Sequence, residues 1–365
     1  MRAGVARKAP GALAFHRSLP LYRETPVVSL TDLARELHVG ALAVKNEELR
    51  LGVPSFKLLG SSWAVHELIR RRMARPDGEL LTLADMRAYA RAARATLCTA
   101  SDGNYGRSIA ALAEMLGCES VIFLPADTAM QRIADVKAHG ARVELVDGSY
   151  EQTVTRARTE AASEGLWYCP DTALVDADPS ELAFVRDVTD GYTTLFLELV
   201  GQLGRAPDVL FIQAGVGGLA AAGVLALNAL APNARIVTVE PEASNCVQAS
   251  ISAGEPRSVP DLPTMMAGLR CQSVSAAAWP VLSTRISAAL TITDGDAADA
   301  MRTLAAHGIV AGEAGAAGLA GARVALRQPG VRARLGIDGS SVVVTVNTEG
   351  ATDRSNYESI VPTLT

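Results

Sequence analysis

Three short stretches hold residue types able to do chemistry. In the first, Ser55-Phe56-Lys57-Leu58-Leu59-Gly60, Lys57 follows the charged run Lys45-Asn46-Glu47-Glu48 and opens an apolar segment that continues through Trp63, Ala64 and Val65. A helix starting there carries an ammonium into an apolar setting. Such a lysine either lays its stem on hydrophobic surface and sends its head to water, or is a desolvated amine able to form a Schiff base with an aldehyde cofactor or a carbonyl substrate. The second stretch is Thr99-Ala100-Ser101-Asp102-Gly103-Asn104-Tyr105-Gly106-Arg107, between a strand-like and a helix-like segment. Two glycines permit a tight turn there, and the N–H groups opening the next helix suit a carboxylate. The plainer alternative is a turn in which Asp102 or Asn104 is simply the N-cap. The third stretch, Gln213-Ala214-Gly215-Val216-Gly217-Gly218-Leu219, again joins an apolar strand to a helix and suits a phosphate. Its spacing misses the dinucleotide fingerprint at Ala220, although alanine is sometimes accepted there, and Glu240 falls where a ribose-binding acid would stand. From these residues alone a nicotinamide reading stays open.

The elements that must position these stretches alternate in type, which predicts an α/β protein with largely parallel sheet. Strands are expected at 41–45, 95–99, 120–124, 142–145, 209–213, 235–239, 289–292 and 341–347, and helices at 105–116, 128–139, 150–164, 190–203, 217–230, 296–306 and 314–326. Segments 74–87 and 176–187 break the alternation and are expected to cross between two lobes. On that reading residues 1–88 and 177–365 form a large phosphate-binding domain and 89–176 a small substrate-loop domain.

With 365 residues, 49% of them hydrophobic, the chain is long enough for two such domains. Its net charge of -5 and scattered Lys and Arg leave no footprint for nucleic acid. No apolar run is long enough to span a bilayer, and the basic start Met1–Lys8 lacks the apolar core of a secretory signal, so a cytoplasmic location is expected. Five cysteines show neither a C-x-x-C pair nor zinc spacing, and no metal is expected.

Taken together, the three stretches resemble fold type II pyridoxal-phosphate enzymes, and within them the diaminopropionate ammonia-lyase family. Phe15-His16, Pro20, Tyr22, Thr25-Pro26, Phe56-Lys57 with Leu59-Gly60, and Ser101-Asp102-Gly103-Asn104 with Gly106-Arg107 match that pattern. So do Asp171-Thr172-Ala173, Gly191-Tyr192, Met266-Ala267-Gly268-Leu269, Gly312-Glu313-Ala314-Gly315 and Thr348-Glu349-Gly350. The resemblance runs from about Phe15 to about Tyr357 and implies two lobes, each a mostly parallel twisted sheet flanked by helices.

It also implies roles. Lys57 would hold pyridoxal 5'-phosphate and then move protons at Cα. Asn104 would bond the cofactor's phenolic oxygen, and Gly215, Val216, Gly217, Gly218 and Leu219 would cradle its phosphate. Thr348 would face the pyridine nitrogen, where a neutral hydroxyl does not enforce ring protonation; a hydroxyl satisfied by nearby backbone is the alternative there. Asp102 and Asp171 would be catalytic carboxylates. A desolvated anion at Asp102 would repel a substrate carboxylate by on the order of several kcal/mol, so it either meets a cation, such as the second amine of 2,3-diaminopropionate, or is protonated.

The reaction implied is α,β-elimination of 2,3-diaminopropionate, as D or L isomer, to pyruvate and ammonia, by a homodimer acting on a small amino acid. A dehydratase or lyase of serine, threonine or another β-substituted amino acid, and a β-replacement synthase, are the alternatives. Tyr105 replaces the family's usual His, Ala351 an acidic residue, and Gln272-Ser273-Val274-Ser275 a Gly-Glu-Pro-Asn, departures that bear on the substrate rather than the cofactor. Cys246 and Cys271 fall where the family carries cysteines, and two buried thiols rather than a disulfide are expected.

Overall fold

The computed structural model describes residues 11–101 and 103–362. Among the described residues ten strands run in chain order: β1 (Val27–Ser29), β2 (Ala41–Asn46), β3 (Thr96–Ala100), β4 (Glu119–Pro125), β5 (Arg142–Val146), β6 (Trp167–Tyr168), β7 (Val209–Gln213), β8 (Arg235–Pro241), β9 (Ala288–Ile292) and β10 (Val342–Asn347). The chain divides into two compact units, one comprising the segment up to Arg23 with Arg50–Thr194, the other Glu24–Leu49 with the chain from Leu195 onward.

The first unit carries a four-stranded sheet in the order β5-β4-β3-β6, parallel throughout. Cys98, Ala100, Val121 and Phe123 point to the face covered by Val154, Ala157 and Ala161 of the helix Tyr150–Glu164. That helix is set by its ends. Ser149 and Gln152 form a reciprocal capping box at the start, and Gly165 closes it in the left-handed region at φ 68°. The helix Lys57–Arg72 lies against the helix Pro179–Leu203 where two glycines meet. A Cβ on Gly60 would fall 2.4 Å from the Tyr192 ring, and one on Gly191 would fall 2.5 Å from the Leu59 carbonyl oxygen. Only hydrogen fits at either place, so the first turn of the Lys57 helix is held at a fixed depth.

The segment 176–187, expected as a crossing, is mostly helix. Asp178 accepts hydrogen bonds from the N–H groups of Ser180 (2.7 Å) and Glu181 (3.0 Å), with Pro179 as the first helical residue. Its carboxylate thus caps a 25-residue helix. The other expected crossing, 74–87, turns and then enters the helix Leu83–Ala92 behind a Thr82–Asp85 capping box. Strands β1 and β6, of three and two residues, are too short to show a period and were not expected.

The second unit holds a six-stranded sheet in the order β1-β2-β10-β7-β8-β9, parallel except for β1 against β2. Phe211, Val237, Val239 and Val343 form its core with Ala316, Leu319, Ala320 and Ala322 of the helix Glu313–Leu326. The small residues of that helix have a steric cause: a Cβ on Gly321 would lie 2.4 Å from Val239 Cγ2. Lys45 of the charged run is buried here. Its Nζ donates to Glu198 Oε2 (2.7 Å), the Thr25 carbonyl (2.7 Å) and Gln202 Oε1 (3.0 Å), which satisfies all three ammonium hydrogens. No helix among the described residues is long and apolar enough to cross a membrane.

Candidate active site

In the first unit, Lys57 is the first residue of its helix, and its Nζ lies 3.2 Å from Asp171 Oδ2. The lysine side chain is 21% exposed and the aspartate 9%, so the pair is reachable yet largely shielded from solvent. Two rings flank the amine. Nζ stands 5.5 Å from the centroid of Phe56 and 5.6 Å from that of Tyr105, within cation–π range. The other oxygen of Asp171 accepts a hydrogen bond from the Tyr150 hydroxyl at 2.8 Å. Tyr150, Asp171 and Lys57 thus form a chain of two charge-assisted hydrogen bonds.

Tyr105, which stands where the resembling family has histidine, is wholly buried and donates to the Pro170 carbonyl at 3.3 Å. Burial holds its phenol well above the ordinary range, so it is a neutral hydroxyl. The loop before it is organised around Ser101. Gly103 is the N-cap residue and Asn104 the first helical residue, so Asn104 is not the cap. The accepting group is Ser101 Oγ, which takes the N–H groups of Gly103 (2.9 Å) and Gly106 (2.7 Å). At least these two N–H groups, expected to be available to an anion, are occupied from within the loop. Gly103 has φ 139°, and a Cβ on Gly106 would stand 2.5 Å from Ile122 Cγ2, so both glycines are required by geometry. Asn104 is half-buried, whereas Asp102 lies outside the described residues.

In the second unit, the loop after β7 leads directly into the helix Gly218–Leu230. Its N-cap is Gly217 at φ 93°, no side chain caps the end, and no acidic residue lies in the first turn. Side chains therefore leave this positive helix end open to an anion. Gly215, Val216 and Gly218 are half-buried, while Gly217 and Leu219 are buried. A Cβ on Gly217 would sit 2.6 Å from Leu282 Cδ1, and one on Gly215 would sit 3.0 Å from Cys271 Sγ. Thr348, just beyond β10, is buried, and its hydroxyl oxygen is 3.0 Å from Gln213 Nε2.

Glu240 does not stand as a ribose ligand. Its two oxygens accept the N–H groups of Val247 and Gln248, each at 2.7 Å, at the start of the helix Cys246–Ala253. Burial pushes its carboxyl up to about 8, against those two donors, which favour the ionised form. With both oxygens so engaged, the nicotinamide reading loses its acid. The five cysteines are thiols rather than disulfides, Cys246 buried and Cys271 only half-buried. No group of His, Cys, Asp and Glu among the described residues is arranged to hold a metal.

The sequence gives no sign of Tyr150 as a site residue. Tyr150 opens a helix with no local mark of function, and only the fold brings it to Asp171, 21 positions away. Gln213 is expected from the sequence only as the end of a strand, although a polar residue closing an otherwise apolar strand is itself a signal.

A family model described as pyridoxal-phosphate dependent enzyme matches residues 19–349. The diaminopropionate ammonia-lyase of Salmonella typhimurium is 32% identical over 372 residues, covering 96% of this chain and 90% of that protein. A solved holo structure of diaminopropionate ammonia lyase from Escherichia coli superposes with a TM-score of 0.88 at 30% identity, covering 97% of this chain and 91% of that one. The same enzyme in complex with D-serine also gives a TM-score of 0.88 at 30% identity, covering 97% and 92%.

Proposed function

The chain belongs to the family of pyridoxal-phosphate-dependent enzymes, and we propose that it works by β-elimination, removing ammonia from 2,3-diaminopropionate to give pyruvate and a second ammonia. The observation that carries this reading is the Tyr150–Asp171–Lys57 chain, an amine and a carboxylate in contact and largely shielded from water.

The residues present fit pyridoxal phosphate. Lys57 offers a reachable primary amine for the aldehyde carbon. The Gly215–Leu219 loop offers a helix end that no side chain caps, with a glycine at φ 93° where any Cβ would press on Leu282. When bound, pyridoxal phosphate supplies an electron sink that stabilises negative charge at the substrate Cα.

The chain's own side chains do the rest. Lys57, once its amine is released by the incoming substrate amine, takes the proton from Cα. Asp171 orients that amine through Oδ2, while Tyr150 fixes the carboxylate through Oδ1. The same carboxylate assists departure of the β-amine as ammonia. Asp102 pairs with the second ammonium of the substrate, which hydroxy amino acids lack. Asn104 bonds the cofactor's phenolic oxygen, Gly215 to Leu219 hold the phosphate through backbone N–H groups, and Thr348 meets the ring nitrogen. The three-carbon enamine that leaves hydrolyses to pyruvate, so one substrate and one water give one pyruvate and two ammonia. The working form proposed is a cytoplasmic homodimer.

The D-serine complex of the Escherichia coli relative favours a second reading, elimination of water from a β-hydroxy amino acid. Pyruvate release from D- and L-2,3-diaminopropionate, compared with D- and L-serine, decides between them. Turnover of serine at least equal to that of diaminopropionate would overturn the first reading. Lys57→Ala is expected to abolish turnover while the fold is kept, and unchanged turnover in that variant would remove Lys57 from its role.

A further inference from the structure

Gln213 closes β7 with its side chain buried, and its amide nitrogen lies 3.0 Å from the Ala314 carbonyl, 3.2 Å from Gly315, 3.0 Å from Val346 and 3.0 Å from Thr348 Oγ1. Three carbonyl oxygens around one end of an amide settle which end it is. An oxygen there would face three other oxygens at hydrogen-bond distance, so that end is the NH2 group. Gln213 Oε1 has no hydrogen-bond partner among the described residues, which agrees with an orientation dictated entirely by the nitrogen end.

This geometry has a consequence for Thr348. An amide nitrogen donates and does not accept, so the hydroxyl hydrogen of Thr348 is unable to point at Gln213. The oxygen is one of four acceptors around two amide hydrogens, and its own hydrogen is turned away from Gln213. Gln213 is its only partner among the described residues, so no neighbouring carbonyl takes that hydrogen. We propose that Gln213 is a positioning residue that forces the Thr348 hydroxyl to act as a hydrogen-bond donor toward the cofactor, which selects a pyridine nitrogen in its unprotonated, accepting state. A protonated nitrogen would take the second lone pair of the oxygen and leave the hydroxyl hydrogen without an acceptor. The selection is made by an uncharged amide.

The proposal rests on the reading that Thr348 faces the ring nitrogen, and the test separates the two. Holoenzyme is reconstituted with pyridoxal phosphate labelled with nitrogen-15 in the ring, and the ring-nitrogen resonance is recorded by solid-state NMR. Thr348→Val removes the donor, and its resonance is expected to move downfield toward that of a pyridine nitrogen without a donor. Gln213→Met keeps the length and apolar fit of the strand end but releases the hydroxyl, and its resonance is expected to move the same way. Combining the two substitutions is expected to add no further shift. Thr348→Ser retains an oriented hydroxyl and is expected to keep the native resonance; because Gln213 is intact there, this arm stands even if Gln213→Met does not fold. A shift in Thr348→Val with none in Gln213→Met, or a shifted resonance in Thr348→Ser, would overturn the role of Gln213. No shift in Thr348→Val would instead overturn the placement of Thr348 at the ring nitrogen.

Discussion

Lys57 Nζ lies 3.2 Å from Asp171 Oδ2, a contact made across 114 positions of sequence. The other carboxylate oxygen is tied to Tyr150 at 2.8 Å, so Asp171 is held at both ends. A carboxylate fixed in this way presents one oxygen to the amine in a constant direction, the geometry a proton transfer needs.

Asp171→Asn keeps the size of the side chain but removes its charge and its capacity to take a proton. Steady-state turnover of diaminopropionate is expected to fall by about 100-fold to 10,000-fold, in line with loss of a general acid–base group, with the far-ultraviolet circular dichroism unchanged. A loss of less than about tenfold would make the carboxylate a structural partner of Lys57 only.

Tyr150→Phe leaves the ring and removes one hydrogen bond to an ionised group, worth about 1.5–3 kcal/mol. If that bond orients Asp171 for the transition state, kcat falls by about 10-fold to 100-fold while KM changes little. A rise in KM at constant kcat would place Tyr150 in substrate binding instead.

Asp102→Asn is expected to impair diaminopropionate much more than serine, because only the former offers a second cation to the carboxylate. Kinetics on both substrates measure the difference. Equal losses would remove the charge argument.

Gly217→Ala places a methyl group on a residue at φ 93° and within 2.6 Å of Leu282 Cδ1. Left-handed backbone costs a non-glycine residue about 1–2 kcal/mol, before any shift of Leu282. Spectrophotometric titration of the apoprotein is therefore expected to show at least about tenfold weaker binding of pyridoxal phosphate. Unchanged affinity would mean that the loop does not hold the phosphate.

Glu240 gives stability a pH dependence of defined sign. Burial raises its carboxyl from the ordinary 4.5 to about 8 in the folded protein. The folded state therefore binds the proton more tightly, so the contribution is full below the ordinary value and is lost as pH rises through about 8. Thermal unfolding followed between about pH 5 and about pH 9 is expected to show a smaller decline in Glu240→Gln than in the native protein. A parallel decline in both would assign the pH dependence to other groups.

Local chemistry explains which parts of the fold were legible. The helix Tyr150–Glu164 and the strand Val209–Gln213 were predicted to the residue, because a capping box and a left-handed glycine frame the one and an unbroken apolar run defines the other. The start of the helix at Pro179 was missed although Asp178-Pro179-Ser180-Glu181 spells an N-cap, a proline at the first position and an acid at the third. Strands β1 and β6 owe their pairing to neighbours distant in sequence, which no local period encodes. The same holds for the site. Lys57 and Asp171 were named from sequence, but their contact, the part of Tyr150 and the amide of Gln213 behind Thr348 exist only in the folded chain. Glu240 stands at a sequence position that fits a ribose acid, while its carboxyl serves a helix end seven residues on.

The most direct test of the account is the visible absorbance of the purified protein, followed by addition of D- or L-2,3-diaminopropionate with pyruvate detection. The account predicts a yellow protein that loses its colour in Lys57→Ala and releases pyruvate with two equivalents of ammonia from at least one isomer. A yellow protein that makes no pyruvate from either isomer would contradict the proposed substrate, and a colourless one that fails to take up added pyridoxal phosphate would contradict the role of Lys57.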